Sequence, residues 1–136
     1  MEREPIRLTV YGDPAPQGSK RIFKGRLVEA SSEKLKRWRK AVTDTCLAHM
    51  EETGWRPFTG PVQLRITFFM HRGKTVKREM PIVPPDLDKL VRGVGDALTY
   101  GEAWGDDSQV VSMVIEKVYA DDRPPGAEIE IHSVTI

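Results

Sequence analysis

The chain has 136 residues, 39% of them hydrophobic and 30% charged, with a formal net charge of +1. That length fits one domain, residues 1–136, with a real core, and the composition excludes wholesale disorder. No apolar run approaches membrane-spanning length and the charged start Met1-Glu2-Arg3-Glu4 leads into no apolar stretch, so a cytoplasmic protein without a secretory signal is expected.

In chain order, Ile6 to Tyr11 alternate apolar and polar as a half-buried strand does, and Gly12-Asp13-Pro14 ends the run. A basic, glycine-punctuated stretch from Gln17 to Glu29 follows, a loop or a mobile hairpin turning at Lys24-Gly25. Leu35, Trp38, Val42, Cys46 and Leu47 fall near helical spacing after Ser31 or Ser32 as N-cap, with Gly54 as the stop. Cys46 lies on the inner side of that helix, where cysteine acts as a small apolar filler; as the single cysteine it forms no intrachain disulfide, which fits a reducing compartment.

Val62 to Phe68 has the clearest two-residue period and reads as an inner strand, and His71 to Glu79 reads as a polar loop. After Pro81–Pro85, the positions Leu87, Leu90, Val91, Val94, Ala97 and Leu98 give a second amphipathic helix of about three turns, weakened by Gly93 and Gly95. A loop from Tyr100 to Asp107 precedes two strands, Gln109–Tyr119 and Glu128–Ile136. This order predicts an α+β fold, a small mixed β-sheet with two helices packed on one face, and leaves strand order open.

The near-zero charge hides a polarity. Residues 1–85 hold 17 Lys and Arg against 9 Asp and Glu, whereas residues 86–136 hold 4 against 11. Positive surface favours a polyanion, and clustered acids call for a cation or a partner, a combination that suits a metal-using nucleic-acid enzyme. The plain alternative is that the halves neutralise each other as surface ion pairs.

The acids gather in Pro84-Pro85-Asp86-Leu87-Asp88-Lys89-Leu90 and Gly105-Asp106-Asp107-Ser108-Gln109-Val110. Tandem prolines keep the approach extended, so Asp86 and Asp88 fall at the helix start, with Leu87 turned inward between them. A helix ending near residue 98 and a loop of eight residues allow Asp107 to reach back to them, unless a dimer partner supplies it instead. Hard oxygen ligands gathered in this way bind Mg²⁺, whose use in phosphodiester cleavage is to neutralise phosphate and acidify a water. Each piece also has an architectural reading, since Asp caps helices and Asp-Asp pairs form turns; only one acid, however, caps a given helix.

These two motifs, with Asp96-Ala97-Leu98 between them and Trp104 ahead of the second, resemble the signature of the RusA family of Holliday-junction resolvases. The resemblance extends to the N-terminal strand, the segment Pro16-Gln17-Gly18-Ser19-Lys20-Arg21 and the charged helix with Trp38-Arg39. It implies a homodimeric, Mg²⁺-dependent endonuclease, with Mn²⁺ as a substitute cofactor, that nicks four-way DNA junctions symmetrically; many such proteins are encoded by phages or prophages. Asp86, Asp88 and Asp107 are then the metal ligands. Two positions depart from the pattern: Lys89 stands where Asn is usual, and Arg92 where the family has a functional Lys. Arg92 keeps a positive charge for phosphate but no exchangeable proton, so it is the expected catalytic cation, and Lys89 a DNA contact.

In the basic half, Lys20, Arg21, Lys24 and Arg26 are the foremost candidates for DNA contact, ahead of the helix cations and of Arg72, Lys74, Lys77 and Arg78. His49, His71 and His132 show no metal-ligand spacing. The competing readings are a nuclease of the same fold that prefers forks or flaps, and a protein that binds junctions without cutting them.

Overall fold

Ile6, Leu8 and Val10 are buried while Arg7, Thr9 and Tyr11 are exposed, so the first alternating run is a strand with one wet face. The computed structural model describes residues 3–18, 20–29 and 32–135, with the backbone alone at 20–23, 27–29 and 32. Its elements are β1 (Ile6–Tyr11), β2 (Lys20–Phe23), β3 (Arg26–Glu29), α1 (Ser32–Thr53), β4 (Val62–Met70), α2 (Leu87–Tyr100), a 3-10 turn at Asp107–Gln109, β5 (Val110–Tyr119) and β6 (Gly126–Ser133).

The main sheet has the order β1-β6-β4-β5. β6 is antiparallel to both β1 and β4, whereas β4 and β5 are parallel, which makes the sheet mixed. A parallel pair needs a crossover, and α2 supplies it between β4 and β5. The inner face is continuous across the strands: Leu8, Ile129, Ile66 and Ile115 come from four neighbours in register. Both helices pack on this α+β arrangement, α1 against β1 and α2 against β5, and each against the other.

α1 buries Leu35, Trp38, Val42, Cys46 and Met50. Leu47, expected on that stripe, is 38% exposed, because Met50 continues the spacing from Cys46 and Leu47 lies about 100° around the helix. Gly54 closes the helix through its N–H to the Met50 carbonyl, as the stop signal implies, and the expected serine cap falls outside the described side chains. α2 is longer than expected and takes in Tyr100; Gly101 then returns its N–H to Ala97. Gly93 is buried where an added Cβ would meet Leu35 and the Ala15 carbonyl, whereas Gly95 faces open space. β6 starts two residues earlier and ends three earlier than expected, following its register with β4.

The basic stretch is a hairpin, β2 with β3. Lys24 and Gly25 both have positive φ, 51° and 75°, the two-residue turn that matches the twist of paired strands. The opposite charges of the two halves meet partly on the sheet, where Arg7 pairs with Glu130 at 3.6 Å, and in the ion pair of Arg72 with Asp121 at 2.5 Å. Among the described residues no helix is long and apolar enough to cross a membrane.

Candidate active site

Asp86 occupies the N-cap of α2 with extended backbone, φ −67° and ψ 141°, yet its side chain makes no capping hydrogen bond. Its carboxylate is exposed, and Lys89 Nζ stands 3.9 Å from one oxygen. Asp88 is exposed in the first turn. The helix begins at Leu87, so the extended run ends at Asp86 and does not by itself align the two acids. Leu87 packs half-buried against the core between them, as expected.

The second motif divides its acids. Asp106 accepts a hydrogen bond from the Ser108 N–H at 2.9 Å, and the Gln109 side chain accepts from the Asp106 and Gly105 N–H groups, completing a capping box. Hydrogen bonds from the Ser108 hydroxyl and N–H hold the Asp106 carboxyl below the usual aspartate range. Gln109 also donates to the carbonyls of Phe58 and Gly60, fastening the turn to the approach of β4. Asp106 and Gln109 are therefore architectural. Asp107 is exposed, and one of its oxygens accepts from the Thr99 hydroxyl and, at 3.3 Å, from the indole N–H of buried Trp104.

These bonds set Asp107 beside the far end of α2. Thr99 lies about 16 Å of helix rise beyond Asp88, counting 1.5 Å per residue. Asp107 shares a cavity of about 310 Å³ with Gln17, Arg92, Asp96, Trp104 and Met113, and neither Asp86 nor Asp88 lines it. Among the described residues no three His, Cys, Asp or Glu are placed to hold one metal ion. The carboxylate chemistry of Asp86 and Asp88 fits a hard dication; the third acid does not join them within one chain. Buried Trp104, donating its indole N–H to the Thr99 hydroxyl, holds the loop at the end of the helix where it leaves.

Arg92 lies along the segment before the hairpin, its guanidinium 2.9 Å from where a Cβ at Gly18 would stand, and Gly18 has φ 99°, a conformation that favours glycine. Gln17 flanks the same contact, with its N–H on the Lys89 carbonyl at 2.9 Å and its side-chain amide on Asp96. Asp96 carried no site assignment in the sequence reading; its place in the Asp-Ala-Leu motif was the available signal.

Lys24 and Arg26 project from the hairpin tip, exposed; the side chains of Lys20 and Arg21 lie outside the described residues. Arg72 is engaged by Asp121, by the carbonyls of Val76 and Arg78, and by the Tyr119 ring 4.1 Å away. On α1, Lys36 and Lys40 are paired with Glu33 and Asp44. Lys74, Lys77 and Arg78 are exposed on the loop after β4.

The family model described as endodeoxyribonuclease RusA matches residues 12–132. The chain is also 33% identical, over 144 aligned residues covering 96% of it and 97% of the relative, to a Bacillus subtilis (strain 168) protein described as uncharacterized protein YqaN.

Proposed function

Because this chain belongs to the endodeoxyribonuclease RusA family, we propose that it is a Mg²⁺-dependent resolvase that cuts four-way DNA junctions by paired nicks in recombination and repair. The observation that carries this reading is the division of labour among the acids. Asp106 is consumed by a cap, whereas Asp86 holds a cap position without capping and Asp107 is exposed beside a cavity. An exposed carboxylate at an N-cap that it does not cap, and another exposed beside a cavity, are accessible to a cation.

Asp86 and Asp88 would hold Mg²⁺ or Mn²⁺, which when bound supplies charge neutralisation at the phosphate and a more acidic water. Asp107 joins them from a second copy of the chain. Two features support this: the separation along α2, and the exposed Val111, Met113 and Val114 on edge strand β5, of which Met113 borders the Asp107 cavity. A homodimer of this kind has two sites related by a two-fold axis, matching the symmetry of the junction. Arg92, on the cavity side of α2, stabilises negative charge on the phosphate, and Lys89 moderates the charge of Asp86 and contacts the backbone. The hairpin cations Lys20, Arg21, Lys24 and Arg26 bind phosphates without regard to sequence, which suits an enzyme that selects a shape.

The deciding experiment incubates a synthetic four-way junction with the protein in Mg²⁺ and in EDTA. Symmetric cleavage in Mg²⁺ alone is expected. Binding without cleavage in either condition leaves a junction-binding protein, and preferential cleavage of forks or flaps reassigns the substrate.

A further inference from the structure

The segment ahead of α2 is poorly equipped to hold itself. Pro81, Pro84 and Pro85 have no N–H to donate, Ile82 and Val83 are exposed, and the helix start lacks a side-chain cap. Yet this segment fixes where Asp86 begins. The grip comes from across the fold: Lys117 of β5, half-buried, donates its ammonium to the carbonyls of Val83 and Pro85, both at 2.8 Å. β5 is an anchored base, paired with β4 from Gln63 to Met70, with Lys117 opposite Phe68.

We propose that Lys117 is a positioning residue for the acid pair, clamping the chain on the residue before Asp86 so that Asp86 and Asp88 are presented in one orientation. This rests on the reading of those acids as metal ligands. A compact ammonium with three donors bridges two carbonyls on one turn of chain, whereas a methionine of similar length offers no donor and a guanidinium spreads its donors over a wider plane. Proline-rich chain released from such a bridge samples more orientations, and the acids at its end lose the preorganisation that a metal site needs.

The test compares Lys117→Met, Lys117→Gln and Lys117→Arg in the full chain with three readouts. In Lys117→Met, amide exchange at residues 86–90 should accelerate while amides in β4 and β6 stay protected. Mn²⁺ binding without DNA, followed by paramagnetic broadening, should weaken by about 10- to 100-fold, the range for residues that orient metal ligands. Half-saturating Mg²⁺ for cleavage should rise in parallel, with junction affinity unchanged and activity recovering at high metal. Lys117→Arg, retaining donors, should recover part of each effect, and Lys117→Gln gives the graded loss should the methionine variant not fold. Unchanged Mn²⁺ binding alongside lost cleavage, or a loss of junction affinity instead, overturns the proposal. If Asp86→Asn and Asp88→Asn cut normally, it is the metal reading that fails, and exchange at residues 86–90 still reports whether Lys117 grips the segment.

Discussion

Gln17 and Asp96, separated by most of the chain, are joined by a hydrogen bond from the glutamine amide to the aspartate carboxylate. With the Gln17 N–H on the Lys89 carbonyl, this ties the root of the basic hairpin to α2 on both sides of Arg92. Gln17→Ala should therefore lower stability by about 1–3 kcal/mol, the usual cost of losing a hydrogen bond to a charged group. Urea unfolding checks this, and a double-mutant cycle with Asp96→Ala should show non-additivity. Additive losses would mean that the two residues act separately.

Asp86→Asn, Asp88→Asn and Asp107→Asn should each abolish junction cleavage while leaving binding intact or stronger, since each removes a ligand and a negative charge near phosphate. Asp106→Asn should do much less, because its task is the cap. Mixing Asp88→Asn chains with Asp107→Asn chains should restore nicking, because one of the two sites in the mixed dimer then holds all three acids. A site closed within one chain gives no recovery.

Arg92→Ala should reduce cleavage by about 100-fold or more, as for other groups that stabilise developing charge, and Arg92→Lys should retain substantial activity. Lys89→Ala should cost little, although Lys89 is the cation that stands beside Asp86. Single-turnover rates on a four-way junction make the comparison; the opposite ranking moves the functional cation to Lys89.

Asp106 and Asp121 are both held below the ordinary aspartate pKa, Asp106 by the Ser108 hydrogen bonds and Asp121 by its hydrogen bond from Arg72. A carboxyl with a depressed folded pKa contributes stability that is present above its unfolded pKa and is lost as pH falls through the folded one. Both contributions should thus be intact at neutral pH and fade below the usual carboxylate range. Carboxyl NMR titration should place both midpoints below that of a free aspartate, and Arg72→Met should return Asp121 to the ordinary value.

Burial, with the Glu102 charge as a smaller contribution, pushes the Cys46 thiol up to about 11. Nucleophilic attack requires thiolate and access, and the native protein offers neither. Iodoacetamide should leave the folded protein unlabelled at pH 8 and modify it fully in denaturant; rapid native labelling would show that α1 opens.

Much of the fold was legible because periodicity reports burial: β1, β4 and both helices lie where their apolar spacing predicts. The parallel pairing of β4 with β5 was not, since alternation says which face a residue takes and nothing about its neighbour strand. The acids were found by motif, but their separation depended on Trp104 being buried beside Thr99, a tertiary contact that a reach argument based on loop length does not contain. Lys117 passed unnoticed for the same reason. Its one sequence signal was to be among four cations in the acidic half of the chain.

The position of β6 has a kinetic consequence. It is made after β1, β4 and β5, yet it sits between β1 and β4, bonded to both. Until it emerges from the ribosome, β1 has no partner in the main sheet and the paired β4 and β5 lack their other neighbour. Closing the sheet then means joining β1 to β6, a contact of high sequence separation whose loop entropy must be met before their ladder forms. Completion of the sheet is accordingly a late event, with the open edges of β1 and β4 the surfaces exposed to wrong pairing while the chain waits.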